Sequence, residues 1–261
     1  MEGSVELAVS MPGLRVVRAT TESLHMGVKE HYGIGRIDRG DTEWWAGGKL
    51  WRSVSGCILV KQPGDVVRHV AHRGPTTFTA VMLPVADIAH VQGEGRAVTI
   101  PQFEITDERA APFHRLIDAA CAGVDRLSLE VAVAEAVSAL AVTSGAHPNY
   151  SRPVRRAMEY IHARPGESIT LASLADHADL DKFHLCRAFR AQIGLPPHTY
   201  LTHLRIARAK ALLLLGVRAA EVALLVGFYD QSQLTRHFRR LVGTTPARYG
   251  NSARTVSVRG Y

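Results

Sequence analysis

Seven positions of one short segment recur at a constant spacing of 49 residues, and two of them are arginines. The positions are Leu185, Arg187, Phe189, Arg190, Gly194, Pro197 and Tyr200, which fall on Leu234, Arg236, Phe238, Arg239, Gly243, Pro246 and Tyr249. A guanidinium group can donate two hydrogen bonds to O6 and N7 of guanine or contact a phosphate. The repeat therefore favours nucleic-acid recognition, with a solvated basic face as the alternative.

The apolar members of the repeat indicate the elements that position these arginines. Leu185 and Phe189 are four residues apart and share one face of a helix, and at about 100° per residue Arg187 points away from that face. Leu234, Phe238 and Arg236 repeat the pattern. Each copy thus predicts a helix with a buried apolar seam and an outward arginine.

A tight turn is predicted before each of these helices. Ala175 and Ala223 pair at an offset of 48 and suit a close crossing of two helices. Four residues later stand Asp179 and Gly227, at a position that requires positive φ, which Gly adopts freely and Asp tolerates. Helix, turn and helix in this order predict a helix-turn-helix unit in each copy.

The repeat assigns three sets of residues. Base edges are predicted to be read by Phe183, His184, Arg187, Gln231, Ser232, Gln233 and Arg236. Phosphates are predicted to be contacted by Lys182, Arg190, Arg239 and Arg240. The structural core of the two units is predicted to contain Ala175, Leu185, Phe189, Ala223, Gly227, Phe228, Leu234, Phe238 and Pro246.

The charge of the chain is divided unevenly between its halves. Residues 151–261 carry 17 Lys or Arg against 7 Asp or Glu, whereas residues 1–150 carry 14 against 17. A basic half of this kind suits a polyanion, because each neutralised phosphate releases condensed counterions. The charge alone is also compatible with a basic face kept for solubility.

The pattern of residues predicts β structure first and helices afterwards. Strands are predicted at Glu43–Leu50, Gly56–Val60, Thr76–Leu83 and Ala97–Ile100. Helices are predicted at Pro112–Gly123, Ser128–Thr143, Pro153–Ala163, Leu171–Ala178, Lys182–Gln192, Pro197–Leu215, Ala219–Val226, Gln231–Val242 and Pro246–Asn251.

Composition narrows the class of protein. With 46% hydrophobic and 21% charged residues, the 261-residue chain is of ordinary globular type, which excludes disordered and collagen-like proteins. No stretch approaches the ~20 apolar residues of a membrane span, and the first residues lack a secretory signal pattern, so a cytoplasmic protein is expected. Cys57, Cys121 and Cys186 have no spacing of a disulfide framework or zinc knuckle.

The stretch VALLVGFYDQSQLTRHFRRLVGTTPARY, from Val222 to Tyr249, resembles the second helix-turn-helix of the AraC/XylS family, and HLCRAFRAQIGLPP, from His184, resembles its first. The resemblance extends over about Val154 to Tyr249. It implies a bacterial transcription factor whose two motifs enter adjacent major grooves of double-stranded DNA. The sequence departs from the family at Asp179, Cys186 and Gln233-Leu234, which bears on base preference.

The resemblance also implies the organisation of the whole chain as two domains, an all-β cupin-like barrel followed by helices and an all-α domain with two helix-turn-helix motifs. The expected segments are a cupin-like effector-binding domain at 1–108, a helical dimerisation or connector segment at 109–143, a linker at 144–151, the DNA-binding domain at 152–251 and a tail at 252–261. A homodimer that is controlled by a small-molecule effector and activates transcription through RNA polymerase is expected.

The amino-terminal half offers a weaker signal. Trp44, Trp45, Trp51 and His69 are predicted to line an effector pocket, although tryptophans on strands often only fill a core. The histidines lack the His-x-His and Glu pattern of a metal-binding cupin, so no metal, no cofactor and no catalytic residue are predicted. Two alternatives stay open, namely a regulator controlled by a protein partner without a ligand and a DNA-binding cupin with metal-dependent activity.

Overall fold

The computed structural model describes residues 3–83, 101–143 and 150–257. The chain divides into two compact units, residues 1–149 and residues 150–261. Each unit is described by itself.

The described part of the amino-terminal unit contains ten β-strands. They are β1 (Ser4–Leu7), β2 (Arg15–Thr21), β3 (Met26–Val28), β4 (Tyr32–Arg39), β5 (Asp41–Ala46), β6 (Lys49–Val54), β7 (Ile58–Lys61), β8 (Val66–His72), β9 (Thr76–Leu83) and β10 (Gln102–Phe103). The strands pair antiparallel in two sheets, with the orders β1-β2-β9-β4-β7-β10 and β3-β8-β5-β6. A 3-10 helix (Glu108–Ala110), α1 (Ala111–Ala122) and α2 (Arg126–Thr143) follow.

One face of the six-stranded sheet is covered by these helices. Val16, Ile34 and Val81 are fully buried and form one apolar core with Phe113 and Leu116 of α1. Side chains alternate between the two faces of a strand, so the residues between these positions look the other way. The face that the helices do not cover is therefore the one that holds Gly33 and Gly35.

The second face of the six-stranded sheet packs against the four-stranded sheet. Leu59 and Ile37 of the first sheet form an apolar core with Trp44 and Val67 of the second. The chain passes from one sheet to the other at Gly40, whose φ is +106°. In the described residues the strands thus form two facing sheets, and the predicted cupin-like barrel is not closed.

The strand predictions hold where no glycine pair interrupts them. Thr76–Leu83 is confirmed as β9, and the run Gly56–Val60 yields the shorter β7. The prediction of a single strand at Glu43–Leu50 is wrong, because Gly47 and Gly48 both have positive φ and turn the chain from β5 into β6. Ala97–Ile100 lies outside the described residues.

The carboxyl-terminal unit is helical over its described length. Its helices are α3 (Arg152–Ala163), α4 (Leu171–Ala178), α5 (Lys182–Ile193), α6 (Pro197–Leu214), α7 (Ala219–Leu225), α8 (Gln231–Val242) and α9 (Pro246–Ser257). Helices α3, α4 and α5 pack together, as do α7, α8 and α9, and α6 contacts helices of both groups. None of the helices in the described ranges is long and apolar enough to cross a membrane.

The helices predicted in this unit are found, and their ends agree to within one residue except at the end of α9. Leu171–Ala178 and Gln231–Val242 are confirmed as α4 and α8. Helix α6 ends at Leu214, and Leu215 is 81% exposed instead of contributing to the helix packing. Helix α9 continues to Ser257, past the predicted end at Asn251.

Candidate DNA-binding surface

The turn between α4 and α5 is fixed by local hydrogen bonds. Asp179 takes the left-handed conformation with φ 55°, as its place in the repeat predicts. The Asp181 carboxylate then accepts hydrogen bonds from the backbone N–H groups of Phe183 at 2.9 Å and His184 at 3.3 Å. These bonds satisfy free N–H groups of the first turn, so α5 starts at a defined residue.

The turn between α7 and α8 has the same form with a glycine in place of aspartate. Gly227 has φ +89°. A Cβ at this position would lie 2.7 Å from the carbonyl oxygen of Gly166 and 2.9 Å from Nη2 of Arg205. Asp230 caps α8 by accepting from the backbone N–H of Gln233 at 2.7 Å. Gly227 is therefore required both by its φ and by the close approach of a loop.

The residues predicted to form the structural core are placed accordingly. Leu185, Phe189, Leu234 and Phe238 are fully buried, at 0% exposure each. Of the others, Ala175, Ala223, Phe228 and Pro246 are buried too. The apolar seams of α5 and α8 are thus turned inward over their whole length.

The 49-residue repeat is visible in the packing of aromatic rings. Phe189 meets Tyr200 with 5.7 Å between ring centroids and an interplanar angle of 67°. Phe238 meets Tyr249 at 5.4 Å with the same angle of 67°. Such edge-to-face contacts are favoured by the charge distribution of aromatic rings. Equivalent residues of the two copies therefore make equivalent contacts.

The outward faces of α5 and α8 hold the residues predicted to contact DNA. The exposed side chains are Lys182, Phe183, His184, Arg187 and Arg190 on α5 and Gln231, Ser232, Arg236, Arg239 and Arg240 on α8. Phe183 is 67% exposed, which is unusual for an aromatic ring without a partner surface. In the described part of the chain, no carboxylate forms an ion pair with Arg187, Arg190, Arg236 or Arg239.

Gln233 differs from the other predicted base-contacting residues. It is half-buried, and its Oε1 accepts a hydrogen bond from the backbone N–H of Tyr229 at 2.8 Å. This bond holds the amide oxygen of Gln233 against the turn and leaves its NH₂ group and one lone pair of the oxygen for another partner. Tyr229 itself is 87% exposed beside the start of α8, and an aromatic residue in a turn carries no sequence signal that separates it from an ordinary surface residue.

Arg205 of α6 is a structural residue that the sequence did not single out. Its Nε donates to the carbonyl oxygen of Pro165 at 2.9 Å, and its Nη2 donates to that of Glu167 at 2.7 Å. The guanidinium also lies 5.8 Å from the centre of the Phe228 ring. Arg205 thereby joins the loop before α4 to the turn before α8. In a helix that also carries Arg208 and Lys210, nothing in the sequence distinguishes it.

The residues predicted to line an effector pocket are not on one surface. Trp44 is fully buried, stacks on Trp51 at 6.1 Å and lies opposite His69 in the sheet. Trp45 belongs to the other face of β5, because neighbouring residues of a strand point to opposite sides, and its ring lies near Arg68. The prediction that all three tryptophans line one pocket is therefore wrong for Trp45.

Burial changes the pKa of a basic group near Trp44. It is the main reason that the pKa of His69 falls to about 3, and the nearby basic groups of Lys61, His72, Lys29 and His25 contribute to the same shift. Lys61, a single charged residue at the end of the apolar strand β7, places Nζ 2.9 Å from the centre of the Trp44 ring. In the described ranges, no group of three or more His, Cys, Asp or Glu side chains is arranged to hold a metal ion.

Comparisons with known proteins agree with the geometry of the carboxyl-terminal unit. A family model described as a helix-turn-helix domain matches residues 174–252. The uncharacterized HTH-type transcriptional regulator YbfI of Bacillus subtilis is 39% identical over 87 residues, which are 33% of this chain and 32% of that protein. The arabinose operon regulatory protein of Escherichia coli is 32% identical over 111 residues, 42% of this chain and 38% of that protein.

The fold of the described chain as a whole also has a solved counterpart. ToxT from Vibrio cholerae superimposes with a TM-score of 0.51 at 9% sequence identity, over 91% of this chain and 98% of that one. At this identity the likeness concerns the fold alone. The sequence matches, by contrast, span less than two fifths of either curated relative. Residues 174–252, with their capped turns and outward arginines, are a helix-turn-helix domain of the AraC type.

Proposed function

We propose that the chain is a sequence-specific regulator of transcription in which α5 and α8 are the recognition helices of two helix-turn-helix motifs. The observation that carries the proposal is the pair of equivalent outward faces, each with exposed arginines that lack carboxylate partners in the described structure. Arg187 and Arg236 contact base edges in this proposal, and Arg190 and Arg239 contact phosphates.

The two recognition helices address neighbouring stretches of one duplex. Helix α6 has 18 residues, and at ~1.5 Å per residue it extends about 27 Å. Its packing against helices of both groups, together with Arg205, restricts how far the two motifs can separate. We therefore expect two successive major-groove segments about 10 base pairs apart on one side of the DNA.

The amino-terminal unit controls this binding through a small-molecule effector in a cupin-like domain, and it has no catalytic role. Pairing of subunits through α2 supports a homodimer in this proposal, because Leu127 and Val131 are 70% and 51% exposed on that helix. The same proposal makes the protein an activator that contacts RNA polymerase. Metal analysis of the purified chain tests the alternative of a DNA-binding cupin with metal-dependent activity.

The experiment that tests the proposal is a selection of duplexes from a random DNA library by the full chain, followed by footprinting at fixed salt. We expect one enriched sequence and protection of groove segments about one helical turn apart. Binding that shows no enrichment, or protection of a single groove segment per subunit, would contradict the proposal.

A further inference from the structure

Several polar side chains of the amino-terminal unit face the space between its two sheets. Lys61 pairs with Gly33 in the six-stranded sheet, so both belong to the face that looks at the second sheet, and Lys61 Nζ lies over Trp44 of that sheet. His69 of β8 pairs with Trp44 in that second sheet, on the same face. An ammonium group and an imidazole thus approach each other from two sheets.

An irregularity in β8 brings a second histidine to the same side. Thr42 pairs with His72 and Trp44 pairs with His69, so a step of two residues along β5 matches a step of three residues along β8. This bulge lets His69 and His72 share one face of the strand. Their ring centroids are 5.3 Å apart. Without the bulge, alternation would turn one of the two rings outward.

One nitrogen of each of these side chains lacks a hydrogen bond. Lys61 Nζ, His69 Nδ1 and His72 Nε2 are buried and make no hydrogen bond within the described residues, whereas His72 Nδ1 lies 3.2 Å from Thr76 Oγ1. Lysine ordinarily extends its ammonium group toward water while its methylene stem covers apolar surface. Lys61 does the reverse, since the residue is partly exposed and its Nζ is buried. Unsatisfied buried groups are rare in folded proteins and lower stability.

There is room beside these groups. Gly33 stands directly opposite Lys61, and a Cβ at Gly33 would meet no atom within 4 Å. Gly35 and Ala80, the next pair on this face, add almost no side-chain volume. The inner face thus offers open space next to the unpartnered ammonium group.

The balance of charge decides what kind of group fits there. Burial lowers the pKa of Lys61 far below its usual value, and the nearby Lys29 lowers it further, whereas Asp65 acts in the opposite direction. Burial likewise lowers the pKa of Lys29, against the attraction of Asp65 and Glu30. Five basic side chains, two lysines and three histidines, thus interact here with two carboxylates. An incoming anion would be favoured, because it stabilises the protonated forms of these bases.

We propose that the space between the two sheets binds a small organic carboxylate, whose anionic group is held by Lys61 Nζ and His69 and whose apolar body lies against Trp44 and Met82. The carboxylate supplies the acceptors that these nitrogens lack. The inference rests on the proposed function only in taking the amino-terminal unit to hold an effector. Its test measures binding without DNA, so either proposal can fail alone.

The test measures binding of benzoate, 3-phenylpropionate and decanoate to the full chain by calorimetry and by thermal unfolding, each beside its neutral primary amide. We expect at least one acid to bind with one molecule per chain and to raise the unfolding temperature. Its amide should bind on the order of 30-fold more weakly, because it cannot pair with the ammonium group. Binding should take up protons, seen as heats that differ between phosphate and Tris buffers, since a carboxylate favours the protonated forms of Lys61 and His69.

Variants separate this site from the rest of the surface. Lys61→Met keeps the approximate length of the side chain and should bind the acid about 30-fold more weakly than the parent chain. The same variant should raise the stability of the ligand-free chain, because it removes a buried nitrogen without a hydrogen bond. Lys49→Met, at an exposed position of β6, is the matched control and should bind like the parent. His69→Asn provides a second loss of binding if Lys61→Met does not fold.

Three results would overturn the proposal. They are equal binding of an acid and its amide, unchanged binding by Lys61→Met and His69→Asn, and the absence of binding by every acid up to its solubility limit. Stabilisation by Zn²⁺ or Ni²⁺ alone, without an acid, would overturn it as well by pointing to a metal site.

Discussion

Gly227 lies against the backbone of Gly166, so closely that an alanine Cβ would come within 2.7 Å of the Gly166 carbonyl oxygen. The contact joins the turn before α8 to the loop before α4, and Arg205 donates to carbonyl oxygens on both sides of Gly166. A backbone contact of this kind cannot be relieved by a change of rotamer. It couples the position of α8 to the segment that precedes α4.

Gly227→Ala should therefore lower the stability of the carboxyl-terminal unit sharply. The left-handed conformation alone costs a residue with a Cβ about 1–2 kcal/mol, and the contact with Gly166 adds to that. Gly243→Ala is the matched control, because Gly243 has φ +82° but open space around its missing Cβ. Thermal unfolding should show a larger loss for Gly227→Ala. Equal losses would mean that the contact with Gly166 contributes nothing.

Arg187→Ala and Arg236→Ala should each remove roughly 1–3 kcal/mol of specific DNA binding through loss of a base contact. Competition between the selected duplex and random DNA at fixed salt measures this. Arg190→Ala and Arg239→Ala should weaken binding to both DNAs alike and reduce the salt dependence. If Arg236→Ala still distinguished the selected duplex from random DNA as well as the parent chain does, Arg236 would not be a base contact. Arg208→Ala, exposed on α6, serves as the charge control.

Phe189→Ala and Phe238→Ala should each cost about 3–5 kcal/mol of folding stability, because both rings are fully buried. Their defect in DNA binding should accompany a lower unfolding temperature. Phe183→Ala is the contrasting variant on α5, where the ring is 67% exposed. It should weaken DNA binding with little change in unfolding temperature. A marked loss of stability in Phe183→Ala would show that this ring serves packing.

The amino-terminal unit should lose stability as the pH falls below neutrality. Burial holds the pKa of His69 at about 3, against 6.5 for an unperturbed histidine. Between these values the unfolded chain binds the proton better, so the free energy of unfolding decreases from about pH 6.5 downward. Thermal unfolding at pH 7, 6, 5 and 4 measures the trend, and His69→Gln should flatten it. A parent chain whose unfolding temperature is constant over this range would contradict the buried state of His69.

Local backbone rules accounted for much of the helical unit. The place of Asp179 in the repeat was enough to predict a left-handed turn, because few residues besides glycine tolerate one. Leu234 and Phe238 were placed in the core by their spacing alone. Both inferences concern groups only a few residues apart on one helix or turn, where chain geometry leaves few choices.

The parts that sequence could not supply depend on distant contacts. Lys61 reaches Trp44 across two sheets, and Arg205 reaches Pro165 from a helix 40 residues away in the chain. Such pairings arise only once tertiary structure fixes which surfaces meet. Trp45 is a different case, because alternation along a strand already places it on the face opposite Trp44.

The matching pairs of Phe189 with Tyr200 and Phe238 with Tyr249 bear on how this chain can evolve. Both pairs have the same interplanar angle, 67°, so the two copies share one packing arrangement although their outward residues differ. Mutations on the outer face of one copy leave the ring pair of the other untouched. In the proposed function, each half of the DNA site is read by its own helix, so the sequence preference of one half can change without altering the packing behind the other.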